Sequence, residues 1–468
     1  MTDDDRLPLM VRLGRRAANL PPPVRRILRI LGGRVADRAA PAAEGWERAL
    51  VGDGPLGDLR CIPRSAPRVS EPTVRVAGLR VVVLTSVLDV GGMDEFVALL
   101  SRGLIERGAV VEIVIALDPV GERGRLAEAL VDEGIAVRTA SRASLAFLLE
   151  EMGPDVVSVH DAPGWAVLEV RRLGVPQIEV LHGVGATFDA DSAALAGRAA
   201  SLDGVVGVSE QLTARFLEET PGFDPRRAWT IPNGAWSRAQ PPVVREQARA
   251  ALGLGGEFLI VSLARHALQK NGYGLVAAFE EVAARHPEAH LLIAGRVDSP
   301  RYFAQVVALA RQSSAPDRIH LRDHTDDPVA VLAAADCYVL DSFFEGWSLA
   351  TTEAMTSGLP VVLSEVAGAR EQLATGDGAG SLGILVGNPT GQCEDTSWEA
   401  VSAARFERQA NREELVAALD RMVTERHEWA ARRVALARRA AERFDPQHCL
   451  DRHAEVLRQV AREELAAG

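Results

Sequence analysis

The feature that most constrains the fold is an alternation of short, almost continuously apolar runs with stretches of helical periodicity, and this alternation begins twice. The first apolar run, residues 79–84, is followed by a Gly-Gly turn and a helical stretch over residues 94–107. The pattern restarts at Phe258, after a linker-like segment with two consecutive prolines. Apolar strands that alternate with helices predict parallel sheets covered by helices on both faces.

The other apolar runs predict the remaining strands. In the first half of the chain they are residues 110–116, 156–159, 178–181, 204–208 and 229–231. In the second half they are residues 258–262, 291–294, 319–321, 337–340, 360–363 and 384–386. Two β/α units of similar size predict an α/β fold in which two Rossmann-like domains face each other across a cleft.

A chain of 468 residues is too long for one ordinary hydrophobic core, so two domains are expected. The changes in pattern set their limits. We expect a basic, Pro-, Ala- and Arg-rich N-terminal extension over residues 1–75, a first domain over 76–240, a second over 241–440, and a C-terminal helix over 441–468 that packs back on the first domain. Within the helical tail, a break is predicted at Asp445-Pro446.

Charge and cysteine content exclude several classes of function. The net charge of -12 argues against a general affinity for nucleic acid. The four cysteines lie far apart and form no Cys-x-x-Cys pair, which argues against a disulfide framework or a zinc site and favours a reducing cytoplasm. The chain begins without a secretory signal and has no apolar run that would span a bilayer, so we expect a cytoplasmic protein.

Lysine is almost absent from the sequence. Lysine and arginine total 52 residues, yet Lys270 is the one lysine among them. One interpretation is that this lysine survived by accident, since the two side chains exchange readily on solvated surfaces. The other is that position 270 requires a compact ammonium group and not a planar guanidinium.

Charged and glycine residues follow the first strand of each unit. Gly91 and Gly92 open a helix, where the backbone would admit an anion, although many such glycine pairs are only tight turns. Arg265 and Lys270 follow the strand that begins at Phe258, and the carboxyl ends of strands in a doubly wound sheet face the ligand crevice. Together they would neutralise a diphosphate; alternatively, they are solvated loop charges.

Two acids and a histidine complete the candidate site. Glu345 and Glu353 flank the start of a predicted helix at residues 348–355, so both are expected to reach a ligand over its N-terminus, as acceptors for sugar hydroxyls. A surface acid is the alternative for Glu353. His182 ends an apolar strand, and we leave open whether it is functional or only a hydrogen-bonded loop residue.

From about Leu79 onward, the chain resembles the family-four retaining glycosyltransferases, which have the GT-B fold. The motifs that carry this resemblance occur in the family's order. They are Gly91-Gly92-Met93-Asp94, His182-Gly183, Val208-Ser209, Ile231-Pro232-Asn233-Gly234, Arg265 with Lys270, Glu345 through Glu353, Gly358-Leu359-Pro360-Val361-Val362 and Gly368-Ala369-Arg370-Glu371. The combination is highly specific, and it does not include residues 1–75.

Four features depart from the family's pattern. Asp94 stands where Glu is usual, Asp341 where Pro is frequent, and Trp347-Ser348 where Phe-Gly is common. The segment from 388 to 411 is longer than the usual connection. Because Ser348 replaces a glycine near the expected phosphate position, the resemblance leaves the identity of the donor open.

The resemblance implies transfer of a sugar, expected to be a hexose, from a nucleotide-sugar to a glycan, lipid-linked or small-molecule acceptor, with retention of configuration. Arg265 and Lys270 would bind the diphosphate, Glu353 the ribose and Glu345 the transferred sugar, while His182 would orient that sugar from the other domain. The loop residues Gly346, Ser348 and Leu349 would complete the donor site. No metal or other cofactor is implied, because the two cations take the metal's place.

Other functions remain as alternatives. A catalytically silent scaffold that binds a nucleotide sugar or a protein is one, and a sugar-nucleotide epimerase of the same fold is another. A phosphorylase with pyridoxal phosphate on Lys270 would be a much longer chain. The segment Asp189-Ala190-Asp191 resembles a metal-binding Asp-x-Asp, but that motif belongs to a fold with a single Rossmann-like domain, so we interpret it as chance.

The N-terminal extension contains a candidate membrane contact. Residues 24–35 place apolar side chains on one helical face and arginines around the rest, a pattern typical of helices that lie on anionic membranes. Since many acceptors in the family are lipid-linked, this helix would hold the enzyme at the inner face of the cell membrane. Alternatively, its apolar face packs on the enzyme itself, or the segment is a disordered tail.

Overall fold

The structure is a computed structural model. It describes residues 50, 56–57, 59, 72–89, 91–119, 121, 123–183, 192–236, 242–325, 327–374, 381–391 and 397–467. Two parallel sheets, each flanked by helices, form its framework. No helix in these ranges is both long enough and apolar enough to cross a membrane.

The first sheet has seven parallel strands in the order β3-β2-β1-β4-β5-β6-β7. Its strands are β1 Arg80–Thr85, β2 Val110–Ala116, β3 Ala136–Ala140, β4 Val156–His160, β5 Gln177–Leu181, β6 Gly204–Gly207 and β7 Ala228–Thr230. The associated helices are α1 Gly92–Glu106, α2 Arg125–Asp132, α3 Leu145–Met152, α4 Gly164–Arg172, α5 Ser192–Ala199 and α6 Glu210–Glu219.

The second sheet has six parallel strands in the order β10-β9-β8-β11-β12-β13, which repeats the connectivity of the first. Its strands are β8 Phe258–Leu263, β9 Ala289–Ala294, β10 Ile319–Arg322, β11 Cys337–Leu340, β12 Val361–Ser364 and β13 Gly383–Val386. Helix α7 Pro242–Ala251 leads into it, and the later helices are α8 Gly272–Arg285, α9 Pro300–Gln312, α10 Pro328–Ala334, α11 Leu349–Thr356, α12 Ala369–Leu373, α13 Trp398–Ala404, α14 Arg412–Thr424, α15 Arg426–Arg443 and α16 Pro446–Ala467.

Twelve of the thirteen strands in the described part of the chain were predicted from apolar runs, and the two-unit α/β architecture is confirmed. The strand that the sequence did not reveal is Ala136–Ala140, at the edge of the first sheet. Only two of its five residues are buried, so it lacks the continuous apolar run of a central parallel strand. The domain limits assigned above stay predictions.

The C-terminal helix lies against the first unit although it follows the second in sequence. Helix α16 packs on α1, β4 and β5. Its Asp451 accepts a hydrogen bond of 2.8 Å from Nε of Arg107, a side chain that is fully buried. Gly103 allows this approach, because a Cβ there would overlap the side chain of Leu450. The predicted break at Asp445-Pro446 is present, and it turns the chain back toward the first sheet.

A short piece of the N-terminal extension packs on the second unit. Leu56 is completely buried, and its backbone NH donates to the carbonyl of Leu252 at 2.8 Å. Its own carbonyl accepts a 2.7 Å hydrogen bond from Nε of Arg322, at the end of β10. Burial lowers the pKa of Arg322, so this carbonyl satisfies a guanidinium group that has left water. The extension therefore contributes to the second unit.

Candidate active site

The candidate site lies where the carboxyl ends of the two sheets meet. In each sheet the strand order reverses beside the first strand, between β1 and β4 and between β8 and β11. Loops after such neighbouring strands diverge to opposite faces, and the crevice between them is the usual ligand site of this architecture. The loops that follow these strands, together with the loop after β5, carry the predicted site residues.

The glycine loop after β1 begins helix α1. Gly91 is the residue before the helix, and its backbone is extended, with φ 173° and ψ 161°. The carboxylate of Asp94, in the first turn, accepts a hydrogen bond of 3.1 Å from the backbone NH of Asp89. Burial raises the pKa of Asp94 to about 6. Asp94 thus stabilises the loop from its buried side. Gly91 has no side chain that would obstruct a ligand at the backbone.

A chain of ion pairs connects this loop to Arg265 in the second unit. Asp89 accepts from Nη1 of Arg296 at 2.6 Å, and Nε of Arg296 donates to Asp298 at 2.9 Å. The other oxygen of Asp298 pairs with Arg265. Arg265 therefore faces a carboxylate in a place where the sequence predicts a diphosphate.

Lys270 is paired in the same manner. Its ammonium group contacts Glu345, and the side chains are only 16% and 10% exposed. Gln269 holds the two loops together, since its side chain donates to the carbonyl of Phe344 and its own carbonyl accepts from the NH of Phe343, both at 2.9 Å. The structure thus brings together two residues that are 75 positions apart in sequence.

A buried polar network supports both of these loops from below. Asp341 accepts hydrogen bonds of 2.7 Å from the side-chain amides of Asn271 and Asn411, one on each oxygen. Asn271 directly follows Lys270 and begins α8 in the left-handed conformation. Burial raises the pKa of Asp341 to about 7. This departure from the family's pattern ties the Lys270 loop, the Glu345 loop and the start of α14 to one carboxyl group.

The loop between Glu345 and α11 touches the first unit. A Cβ on Gly346 would overlap the carbonyl oxygen of His182, so only glycine permits this approach. Ser348 caps α11, its hydroxyl accepting from the NH of Thr351 at 3.2 Å. Glu353 is half-buried, one turn further along the helix. The cleft is therefore narrow at this loop, and the Ser348 hydroxyl is already used by its own helix.

His182 lies on the opposite wall, directly after β5. Its Nε2 is 2.8 Å from Nδ1 of His160, which ends the neighbouring strand β4, and its ring makes an edge contact with Phe96 at 5.4 Å. Burial lowers the pKa of His182 to about 4, because the charged form would lose its hydration. The ring is consequently neutral at physiological pH and acts through hydrogen bonds only.

Several participants were not found from the sequence. Arg296 and Asp298 follow β9 at the same edge as the predicted residues, so the rule that selected Arg265 would also have selected them. His160 resembles His182 in that it ends an apolar strand. The segment 189–191 and the candidate helix 24–35 lie outside the described residues. Within the described ranges, no group of three or more His, Cys, Asp or Glu side chains would hold a metal ion.

Comparisons with known proteins agree with this geometry. The family model for glycosyl transferases group 1 matches residues 244–392, and that for glycosyltransferase family 4 matches residues 90–235. The D-inositol 3-phosphate glycosyltransferase of Rhodococcus jostii is 29% identical over 48% of this chain, and the chain spans about half, 52%, of that relative. The alpha-maltose-1-phosphate synthase of Mycolicibacterium smegmatis is 31% identical over 49% of this chain and 60% of that protein.

Solved structures show the same architecture. HepE from Anabaena, determined with UDP and glucose, aligns with a TM-score of 0.67 and 16% identity over 81% of this chain and 100% of that one. Sucrose-phosphate synthase from Thermosynechococcus elongatus aligns with a TM-score of 0.62 and 18% identity over 83% of this chain and 100% of that one. At this identity the likeness concerns the fold. With one family model on each of its two sheets, the chain belongs to the family-four, or group 1, glycosyltransferases of the GT-B fold.

Proposed function

We propose that this protein transfers a sugar from a nucleotide-sugar donor to an acceptor with retention of anomeric configuration. The observation that carries the proposal is the pairing of Arg265 and Lys270 with two carboxylates at the carboxyl end of β8. Two cations held by exchangeable acids, beside a glycine loop, form a site for a dianion such as a diphosphate.

The exchange of partners accounts for the role of each acid. A donor diphosphate takes Arg265 from Asp298 and Lys270 from Glu345, and the cations then stabilise the charge that develops on the leaving group. Glu345, released from the ammonium group, accepts hydrogen bonds from hydroxyls of the transferred sugar. Because the charge is supplied by the protein itself, the reaction proposed here requires no metal.

The start of α11 completes the donor site. The first NH groups of a helix have no partner within it and favour an anion, so Ser348 and Leu349 present backbone NH groups to a phosphate, and Gly346 adds the NH of the preceding loop. Glu353 binds the ribose hydroxyls from the next turn. His182 orients the sugar from the opposite wall. The acceptor hydroxyl then attacks from the same face, and a donor phosphate oxygen takes its proton.

The test is a screen of UDP-, GDP- and ADP-sugars for hydrolysis without acceptor, with calorimetry on the nucleotides. Inositol phosphates and sugar phosphates are the acceptors to add first, since relatives named D-inositol 3-phosphate glycosyltransferase and alpha-maltose-1-phosphate synthase share part of this sequence. Binding without turnover of any donor would favour the silent scaffold. In the active case, Glu353→Gln raises the donor KM by about 10- to 100-fold, because a hydrogen bond to a charged group contributes about 1.5–3 kcal/mol. An unchanged KM would remove Glu353 from the ribose site.

Peripheral contact with an anionic membrane through residues 24–35 is part of the same proposal. The test compares co-sedimentation with lipid vesicles between the full-length protein and a variant that lacks only residues 1–45. The variant keeps Leu56 because that residue packs on the second unit. Loss of co-sedimentation with anionic vesicles in that variant would support the contact. Equal co-sedimentation of both proteins would show that residues 24–35 are not the anchor.

A further inference from the structure

Behind His182, a short file of hydrogen-bonding side chains runs into the core of the first unit. Nε2 of His182 is 2.8 Å from Nδ1 of His160, and Nε2 of His160 is 2.9 Å from the hydroxyl oxygen of Ser158. Ser158 and His160 lie on β4 and have relative exposures of 1% and 0%. The file therefore ends inside the protein, and only His182 reaches the cleft.

Each ring in this file carries a single proton. Burial lowers the pKa of His182 to about 4 and that of His160 well below its usual value, and the neighbouring His453 of α16 has its pKa lowered to about 3 for the same reason. The positive charge of Arg452, the residue directly before His453, lowers the pKa of His453 further. Neutral imidazole has one NH and one bare nitrogen, so the file has only two possible directions.

The hydroxyl of Ser158 decides between these directions. If protons point outward, Ser158 donates to Nε2 of His160, and Nδ1–H of His160 donates to Nε2 of His182. If they point inward, His160 donates to Ser158, whose own hydroxyl hydrogen then needs another acceptor. Within the described part of the chain, this hydroxyl has no other hydrogen-bond partner than His160. A buried donor without an acceptor is costly, so the outward direction is favoured.

We propose that Ser158 and His160 are positioning residues that fix His182 as the tautomer protonated on Nδ1, so that His182 donates a hydrogen bond to an oxygen of the transferred sugar. This inference rests on the proposed function for the part that concerns the sugar. Nδ1 of His182 has no hydrogen-bond partner among the described residues and is not one of their buried unpaired atoms, and the His182 residue as a whole is half-buried.

The consequence is a division of roles at the site. A nitrogen that already carries its proton cannot take one from the acceptor, so His182 binds the sugar and is not the base. Phe96 restricts the ring on one side by its edge contact, and the bond to His160 fixes its rotation. The same tautomer is thus presented to every donor molecule.

Nitrogen NMR on the full-length protein with ¹⁵N-labelled histidine tests the tautomer directly, without any donor. The signals of His182 are assigned by their loss in His182→Asn. We expect His182 to be protonated on Nδ1 in the natural protein. Ser158→Ala should give a mixture of tautomers, and Ser158→Thr, which keeps a hydroxyl, should restore the original one. Ser101→Ala is the matched control, because that buried serine in α1 donates only to a helix carbonyl at 2.8 Å.

Protonation of His182 on Nε2 in the natural protein, or an unchanged tautomer in Ser158→Ala, would overturn the inference. With a donor that the screen identifies, Ser158→Ala should lower kcat for hydrolysis by about tenfold, the effect of one hydrogen bond, and leave the affinity for the free nucleotide unchanged. The tautomer is measured without a donor. Absence of turnover in the natural protein would therefore overturn the proposed function and not the assignment of the His182 tautomer.

Discussion

The two units repeat one strand order, yet they differ in the sugar-orienting and diphosphate-binding side chains that we assign to their carboxyl edges. At the edge of the first unit lie neutral histidines in a buried file, of which His182 reaches the cleft. At the edge of the second lie cations already paired with carboxylates, Arg265 with Asp298 and Lys270 with Glu345. The shared scaffold therefore determines where the residues are, and burial together with the presence or absence of an opposite charge determines whether they carry charge.

This difference separates two tasks. A diphosphate donor brings negative charge, which requires permanent cations that change partners when it binds. The transferred sugar is neutral, and a neutral NH group orients it without attracting counterions. Four tests follow: two change the second unit, one changes the contact between the units, and one compares a buried group in each unit.

The largest effect is expected at Lys270. Lys270→Ala leaves Glu345 buried without its partner and removes one of two cations, so we expect kcat/KM to fall by about 10²- to 10³-fold, as when one preorganised donor is lost. Lys270→Arg keeps the charge but not the compact geometry, and most activity should still be lost. The matched control is Arg172→Lys, the reverse exchange at an exposed ion pair with Glu169. Normal turnover in Lys270→Arg would show that the lone lysine is an accident.

The second change is at Leu56, which is fully buried in the second unit. Leu56→Ala should destabilise that unit by about 2–5 kcal/mol, since a buried leucine is replaced by a cavity. Hydrogen exchange should increase in β8–β10 and stay unchanged in β1–β3. Leu168→Ala, at a side chain in the first unit that is 57% exposed, is the control and should have little effect on either sheet. Equal loosening of both sheets would contradict the assignment of this segment to the second unit.

The third change acts on the contact between the units. Gly346→Ala forces a methyl group against the carbonyl of His182, and overpacking of this kind costs about 1–3 kcal/mol. The closed cleft should open, and kcat/KM should fall by about 10- to 100-fold. Gly183→Ala lies on the other side of the same contact, but its Cβ would be 3.8 Å from the NH of Gly346, so its effect should be much smaller. Small-angle X-ray scattering would report the opening, and identical profiles for both variants would argue against this mechanism.

The smallest effect, at most about 1.4 kcal/mol per pH unit for each group, has opposite signs at two buried groups, His453 in the first unit and Asp341 in the second. In the first unit, His453 has a folded pKa of about 3 against 6.5, so its contribution to stability is present above pH 6.5 and is lost as pH falls toward 3. In the second, Asp341 has a folded pKa of about 7 against 3.8, so stability is greatest below pH 3.8 and is lost as pH rises to 7.

Two variants isolate these contributions. His453→Asn should flatten the acid loss of stability in the first unit, and Asp341→Asn should flatten the loss between pH 4 and 7 in the second. Hydrogen exchange of each sheet, corrected for the intrinsic rate at each pH, measures both slopes on one sample. An unchanged slope in either variant would contradict the direction of the pKa shift assigned to that group.

The sequence alone determined the two-unit fold and most of its strands, because central parallel strands are buried on both faces and leave continuous apolar runs. It also determined which edge carries the site, since residues that follow parallel strands share that edge. Lys270 was singled out by composition, and its position after β8 agrees with that expectation. The edge strand Ala136–Ala140 was not predicted, because a half-buried strand has no continuous apolar run.

Only the tertiary structure decided which charges face one another. Lys270 and Glu345 are 75 residues apart, and Asp89 and Arg296 are 207 apart and belong to different units. Nothing local specifies such pairs, because an ion pair has no periodicity and depends on where two sheets place their loops. The same holds for the Ser158–His160–His182 file and for Leu56. Burial and the distances between side chains are properties of the packed chain. They determine which of the candidate residues form a site and which charges and protons those residues carry.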